Sequence, residues 1–198
     1  MNNLIESILA AQYRSLLFPK GICGDAIFGF ECNDGWGDLI QATLWLVQRR
    51  APLSALDVEV TQVKEKFGQL RIYHRGGDES IGAAFEIAEV VSGSVCEMCG
   101  MPGGVISVDG WLQARCSQHS AAGKIARAKN VKNNDNYIAS YVEAVDAILS
   151  FFGEGAVLWV QQERAAFAGR RPCELLATEE GCQAIYLMLK RLEYGVGV

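Results

Sequence analysis

Residues 96–119 read CEMCGMPGGVISVDGWLQARCSQH. Cys96 and Cys99 are separated by two residues, sixteen more follow, and Cys116 and His119 are again separated by two. Two tight pairs of sulfur and imidazole donors are what a tetrahedral zinc site needs, because each pair can turn both side chains into one small volume. Gly100, Gly103 and Gly104 let the chain bend close to the ion. Four protein ligands leave no place for a water, so the expected zinc is structural: it cross-links short segments that lack a core of their own. No His-x-Glu motif accompanies the cysteines, which argues against deaminase-type chemistry. Trp111, between the pairs, is expected to cap the zinc loop, the alternative being an exposed recognition aromatic.

Working outward, the chain has 198 residues, half of them hydrophobic and about a fifth charged, so it can bury a core. The net charge of −5 disfavours a general nucleic-acid binder, which needs a basic face. The apolar runs are too short to span a membrane. The start, MNNLIESILAAQYRSLLF, holds Glu6 and Arg14 within its apolar stretch and reads as an amphipathic helix over 3–17, not a signal peptide. Seven cysteines without an export signal point to reduced thiols in a cytoplasm. Outside the zinc pattern, Cys23, Cys32, Cys173 and Cys182 read as small buried hydrophobes.

A turn at Asn33-Asp34-Gly35 precedes a helix with an apolar stripe of Trp36, Leu39, Ile40, Thr43, Leu46 and Val47. Alternation over Val58, Val60, Val63, Leu70 and Ile72 around Glu65-Lys66-Phe67-Gly68 predicts a β-hairpin closed by Gly76-Gly77. Residues 79–92 predict a helix with Ile81, Ala84, Phe85, Ile87, Ala88 and Val91 inward. Residues 120–136 carry Lys124, Arg127, Lys129 and Lys132 and an Asn-rich end, and read as a linker. Beyond it the pattern is helical. Ile138, Tyr141, Val142, Val145, Ile148 and Leu149 line a helix over 137–152. A second helix is expected over 156–167 around Trp159. A third is capped by Thr178, with Glu179 and Glu180 in its first turn and Cys182, Ile185, Tyr186, Leu189 and Leu192 inward.

The expected fold is therefore an α+β domain over 1–119, with helices, a β-hairpin and a zinc knuckle or ribbon. A linker over 120–136 and a small all-α domain over 137–198 follow. No nucleophile–base pair, phosphate-binding glycine loop or open metal position marks an enzyme. Glu31, Asp34 and Asp38 read as a capped turn.

Two resemblances add to this. Gly29-Phe30-Glu31-Cys32-Asn33-Asp34-Gly35-Trp36, Val63-Lys64-Glu65-Lys66-Phe67-Gly68-Gln69-Leu70-Arg71 and the zinc pattern make residues 28–119 similar to a group of small bacterial and phage proteins that bring no known activity. At the other end stand Phe152-Gly153, Trp159, Gly169, Pro172, Leu175-Leu176, Thr178, Gly181 and Arg191, Glu193, Tyr194, Gly195. This set resembles the C-terminal toxin-binding domain of the MbcA/ParS/Xre antitoxin family. The resemblance implies that the segment docks on a cognate protein toxin, of the type that consumes NAD, and blocks its active site. The partner-binding residues it implies are Gly169, Arg170, Arg171, Pro172, Arg191, Glu193, Tyr194 and Gly195. A charge, an aromatic and a glycine near the end of the chain suit insertion into a pocket. The family's N-terminal helix-turn-helix domain is not in the sequence, which puts operator binding in doubt. The alternative is a zinc module that binds nucleic acid or protein, its basic face built from Lys124, Arg127, Lys129 and Lys132. The oligomeric state is open.

Overall fold

The computed structural model describes residues 1–18, 29–53, 57–120 and 134–195. Cys23 and the basic cluster Lys124, Arg127, Lys129 and Lys132 lie outside the described residues, as does most of the expected linker.

The N-terminal region is α+β. Helices α1 (Asn3–Gln12) and α2 (Arg14–Leu17) come first, then a 3-10 turn at Asp34–Trp36 that runs into α3 (Gly37–Arg50). Strands β1 (Glu59–Lys66) and β2 (Gln69–Arg75) form an antiparallel hairpin, and α4 (Glu79–Ser92) follows, its N-cap Asp78 accepting from the Ile81 amide. A second hairpin, β3 (Gly104–Val108) with β4 (Trp111–Arg115), lies between the two cysteine pairs. The C-terminal region is helical: α5 (Asp135–Phe152), α6 (Ala156–Gln161), α7 (Pro172–Leu175) and α8 (Glu179–Glu193).

The apolar stripes read from the sequence on α3, α4 and α5 are all buried. They meet one another: α5 packs on α3, α4 and α8, and α4 also touches α6 and α7. The buried side chains make one hydrophobic cluster that runs from Leu9 to Leu189. Polar groups stitch the same seam. The Tyr137 hydroxyl donates to the Leu176 carbonyl at 3.1 Å, and Tyr141 is fully buried beside Thr43 of α3.

Three details differ from the sequence reading. The first helix is broken at Tyr13, whose backbone leaves helical geometry. The break turns Tyr13, Leu16 and Leu17 into the core and leaves Leu4 and Ile8 exposed. The helix expected over 156–167 stops at Gln161. Gln162 is extended, and Arg164 holds the turn by donating to the Trp159 carbonyl at 3.2 Å with its guanidinium over the indole. Near the end of α8, Leu192 is exposed instead of lying inward.

Candidate functional site: a Cys3His cluster and an exposed helical tail

Helix α4 delivers the chain to Val95, and Cys96 opens a knuckle. The Cys96 carbonyl accepts from the Gly100 amide at 2.8 Å and the Cys99 amide at 3.3 Å, so the loop folds back on its first ligand. Gly100 completes the bend at φ +74, a conformation glycine adopts without strain. On the other strand of the loop, the His119 amide donates to the Cys116 carbonyl at 3.0 Å. The β3–β4 hairpin brings the two turns together, pairing Gly104 with Arg115 next to Cys116.

The donor atoms of Cys96, Cys99, Cys116 and His119 all lie within 4.8 Å of one another. Cys96 Sγ is 3.5 Å and Cys116 Sγ 3.3 Å from His119 Nδ1, and Cys99 Sγ is 3.7 Å from Cys116 Sγ. With metal–sulfur bonds of about 2.3 Å and metal–nitrogen bonds of about 2.0 Å, a tetrahedron has S···S edges of about 3.8 Å and S···N edges of about 3.5 Å. The side chains therefore stand close to the edges of a tetrahedral ion site. Burial works against a charge on Cys116, but hydrogen bonds from His119, backbone amides and Cys99 outweigh it and draw the thiol toward thiolate. Burial pushes the thiol of its neighbour Cys99 up to about 12. This group can hold a metal ion, and its four protein donors fill the coordination shell.

The knuckle is covered from outside its own sequence. The Gly35 amide donates to the Glu97 carbonyl at 2.9 Å. A Cβ at Gly35 would collide with the Cys96 carbonyl and sit 2.6 Å from the amides of Cys99 and Gly100. Trp36 is fully buried, its indole donating to the Val95 carbonyl at 2.9 Å. Asn33 and Arg115 both bond the buried Glu97 carboxylate at Oε1. The turn Asn33–Trp36 is thus the cap, and the role expected of Trp111 does not hold. Trp111 opens β4 and is 76% exposed. Cys32 is buried beside this turn, where desolvation pushes its thiol up to about 12, and it is not one of the clustered donors.

The second set of expected residues lies on α7, α8 and the loops around them. Gly169, Arg170 and Arg171 are exposed, whereas Pro172 is buried at the first position of α7. Gly169 has φ +79 and follows Ala168 at φ +55, a tight left-handed turn. Arg171 makes a double contact with Glu174 at 2.6 and 2.8 Å. Thr178 caps α8 by accepting from the Gly181 amide at 3.1 Å. Gly181 presses on the backbone of Leu175, with an added Cβ only 2.9 Å from the Leu175 Cα. Phe152 stacks on Trp159 with ring centroids 4.5 Å apart, and Phe167 meets Trp159 edge-on.

Arg191, Glu193, Tyr194 and Gly195 are exposed, Tyr194 at 77%. Gly195, at φ +69, donates to the Leu192 carbonyl and ends the helix. A groove of about 380 Å³ lies beside this end, between α5 and α8, lined by Arg49, Glu143, Phe151, Tyr186, Lys190 and Glu193. Among the described residues, no helix is long and apolar enough to cross a membrane.

Residues 150–195 match the family described as the antitoxin Xre/MbcA/ParS C-terminal toxin-binding domain. No curated protein and no solved structure matches the chain. The matched segment holds every residue of the second set. The family implies a toxin as partner and an antitoxin-like function for this part of the chain.

Proposed function

We propose that the protein neutralises a cognate protein toxin by binding it through residues 150–195, without catalysis of its own. The toxin belongs to the NAD-consuming kind that the family resemblance implies, and the contact covers its active site. The observation that carries this reading is the family match over 150–195. Within that segment Val160, Phe167, Leu175, Leu176, Ile185 and Leu189 are buried, while Leu158, Leu187 and the stretches Gly169–Arg171 and Arg191–Gly195 remain in solvent. Tyr194 offers a large amphipathic ring and Arg191 a positive charge beside it, while Glu193 is paired with Lys190 at 2.8 Å, the composition of a contact that anchors in a partner's pocket.

The cluster of Cys96, Cys99, Cys116 and His119 holds zinc in this reading. The ion's chemistry there is cross-linking, since the chain's own donors complete its shell. It fixes the β3–β4 hairpin, which contributes little to the core besides Ala114.

The test is co-expression with the product of the adjacent reading frame. Growth arrest and NAD depletion by that product, both reversed by the full chain, are the expected outcome. Replacement of Arg191, Glu193 and Tyr194 by alanine should abolish the rescue while the protein stays folded. Rescue that survives the triple replacement overturns the assigned contact. A product that does not bind the wild-type chain overturns the function.

A further inference from the structure

A groove of about 1250 Å³ separates α6–α7 from the two hairpins, and its apolar lining includes Phe67, Val90, Val105, Leu112 and Val157. Its walls have different origins. Val157, Gln161 and Arg171 belong to the segment that matches the toxin-binding family. Val105 and Leu112 belong to the hairpin held between the cysteine pairs. The register Val105↔Ala114 and Ser107↔Leu112 places them on one face of it, 40% and 46% exposed. Four of the five charged residues that line it form two ion pairs, Arg71 with Glu89 and Arg171 with Glu174, and Glu86 is the fifth. The exposed apolar faces of Phe67, Val105 and Leu112 lie among these paired charges.

Phe67 is a second, independent sign. It occupies the first loop position of the β1–β2 hairpin at φ +54, followed by Gly68 at φ +76. Both central residues of this turn are left-handed, as in a type I′ turn, where Asn-Gly is the favoured pair. A phenylalanine pays steric strain there for no gain in packing, since 65% of it is exposed. Gly68 beside it abuts the other hairpin: an added Cβ would lie 2.9 Å from Val105. The local rule for the turn is broken at the residue that overhangs the groove, and such violations mark functional positions.

We propose that the toxin, docked on residues 150–195, also seats an apolar segment in this groove against Phe67, Val105 and Leu112. The metal-held hairpin is then the second half of the toxin interface. Toxin and metal are linked ligands: removing the ion weakens toxin binding, and bound toxin slows metal loss by the reciprocal factor. This rests on the toxin-binding reading above and extends it beyond the matched segment.

The purified product of the adjacent reading frame serves as probe, titrated against the full metal-loaded chain and three variants. Leu112→Glu puts a charge on the groove floor and should weaken binding about tenfold or more. Phe67→Asn restores the favoured turn, so it should raise the melting temperature and yet weaken binding severalfold. That opposite pair of effects separates a contact from a structural role. Tyr194→Ala reports on the family contact. Loss of binding with Tyr194→Ala, but wild-type affinity for both groove variants, overturns the groove and leaves the antitoxin reading intact. Failure of the wild-type chain to bind overturns both. Wild-type affinity in the presence of a chelator that strips the ion also overturns the linkage.

Discussion

The Arg50 guanidinium sits 2.7 Å from Asp146, joining the last turn of α3 to the middle of α5. The same side chain donates to the Asp146 carbonyl and Ser150 Oγ at 3.1 Å, and to Ser80 Oγ at 3.0 Å at the start of α4. One arginine thereby ties together three helices whose apolar stripes form the core. The helices of the C-terminal region are not packed only against one another.

This cross-link is strong enough to measure. The Arg50 side chain is 16% exposed and Asp146 39%, so solvent screens the pair only in part. Arg50→Ala should cost about 1–3 kcal/mol, because it also orphans the carbonyl and two hydroxyls. Asp146→Ala should cost less. A double-mutant cycle by denaturant unfolding should return a coupling energy of about 0.5–1.5 kcal/mol. Additive single effects would show that the pair is incidental.

The same seam decides how the C-terminal region behaves when isolated. A fragment spanning 137–198 would expose the α5 face that buries Tyr141 against Thr43, along with the surfaces that meet α4. Hydrophobic burial is the main favourable term in folding, so this loss should leave the fragment with partial helix and a non-cooperative thermal transition. Circular dichroism on the fragment and the full chain decides it. A sharp transition in the fragment would mean that α5, α6, α7 and α8 suffice for a core.

Stripping the metal should act locally. The β3–β4 hairpin has Ala114 as its one fully buried side chain, whereas α3, α4 and α5 are buried along whole faces. With a chelator, amides of residues 96–119 should lose hydrogen-exchange protection while those of α3 and α5 keep theirs. Loss of protection in all regions at once would make the ion part of the global fold. Gly35→Ala should loosen the same region through contact alone, by forcing a Cβ into the backbone at Cys96, Cys99 and Gly100. A cost of about 1–3 kcal/mol is expected, with weaker metal retention in competition with a chromogenic chelator.

Much of this was legible in the sequence because periodicity reports burial. The stripes on α3, α4 and α5 and the β1–β2 hairpin came from spacing alone, and the four clustered donors from their pairing. What escaped depended on distant contacts. Nothing local says that Gly35, rather than Trp111, closes the knuckle, since that contact spans some sixty residues and uses the absence of a side chain. The β3–β4 hairpin goes beyond the sequence expectation, although Asp109-Gly110 between alternating residues is a strong turn signal. The end of α6 at Gln161 depends on Arg164 reaching back to Trp159, which helix periodicity does not encode.

Gly181 should tolerate no side chain. A Cβ there would overlap the Leu175 carbonyl, and backbone cannot yield as a flexible side chain can. Gly181→Ala should destabilise by about 1–3 kcal/mol despite the better helix propensity of alanine. It should also shift α8 enough to lower toxin affinity. Thermal unfolding with and without the toxin checks both, and an unchanged melting temperature would show that α7 can move aside.

The pH dependence has one identifiable source in Asp38. Burial raises its carboxyl above the ordinary carboxylate range to about 6, with a hydrogen bond from the Asn134 backbone opposing the rise and Asp135 adding to it. A folded pKa above the unfolded one means that the folded state holds the proton more tightly. The carboxyl's relative contribution is therefore greatest below about pH 4 and is lost as pH rises through about 6. Above that, folding carries the cost of a half-buried charge in the first turn of α3. Asp38→Asn keeps an acceptor for the Asn134 amide and removes the charge. It should stabilise the protein at pH 8 by about 1–2 kcal/mol, less than the shift alone gives because the charge also favours the helix N-terminus. The difference should shrink to near zero by pH 4. Urea unfolding of both proteins at several pH values tests this, and a stability difference that does not change with pH would place the Asp38 carboxylate in water.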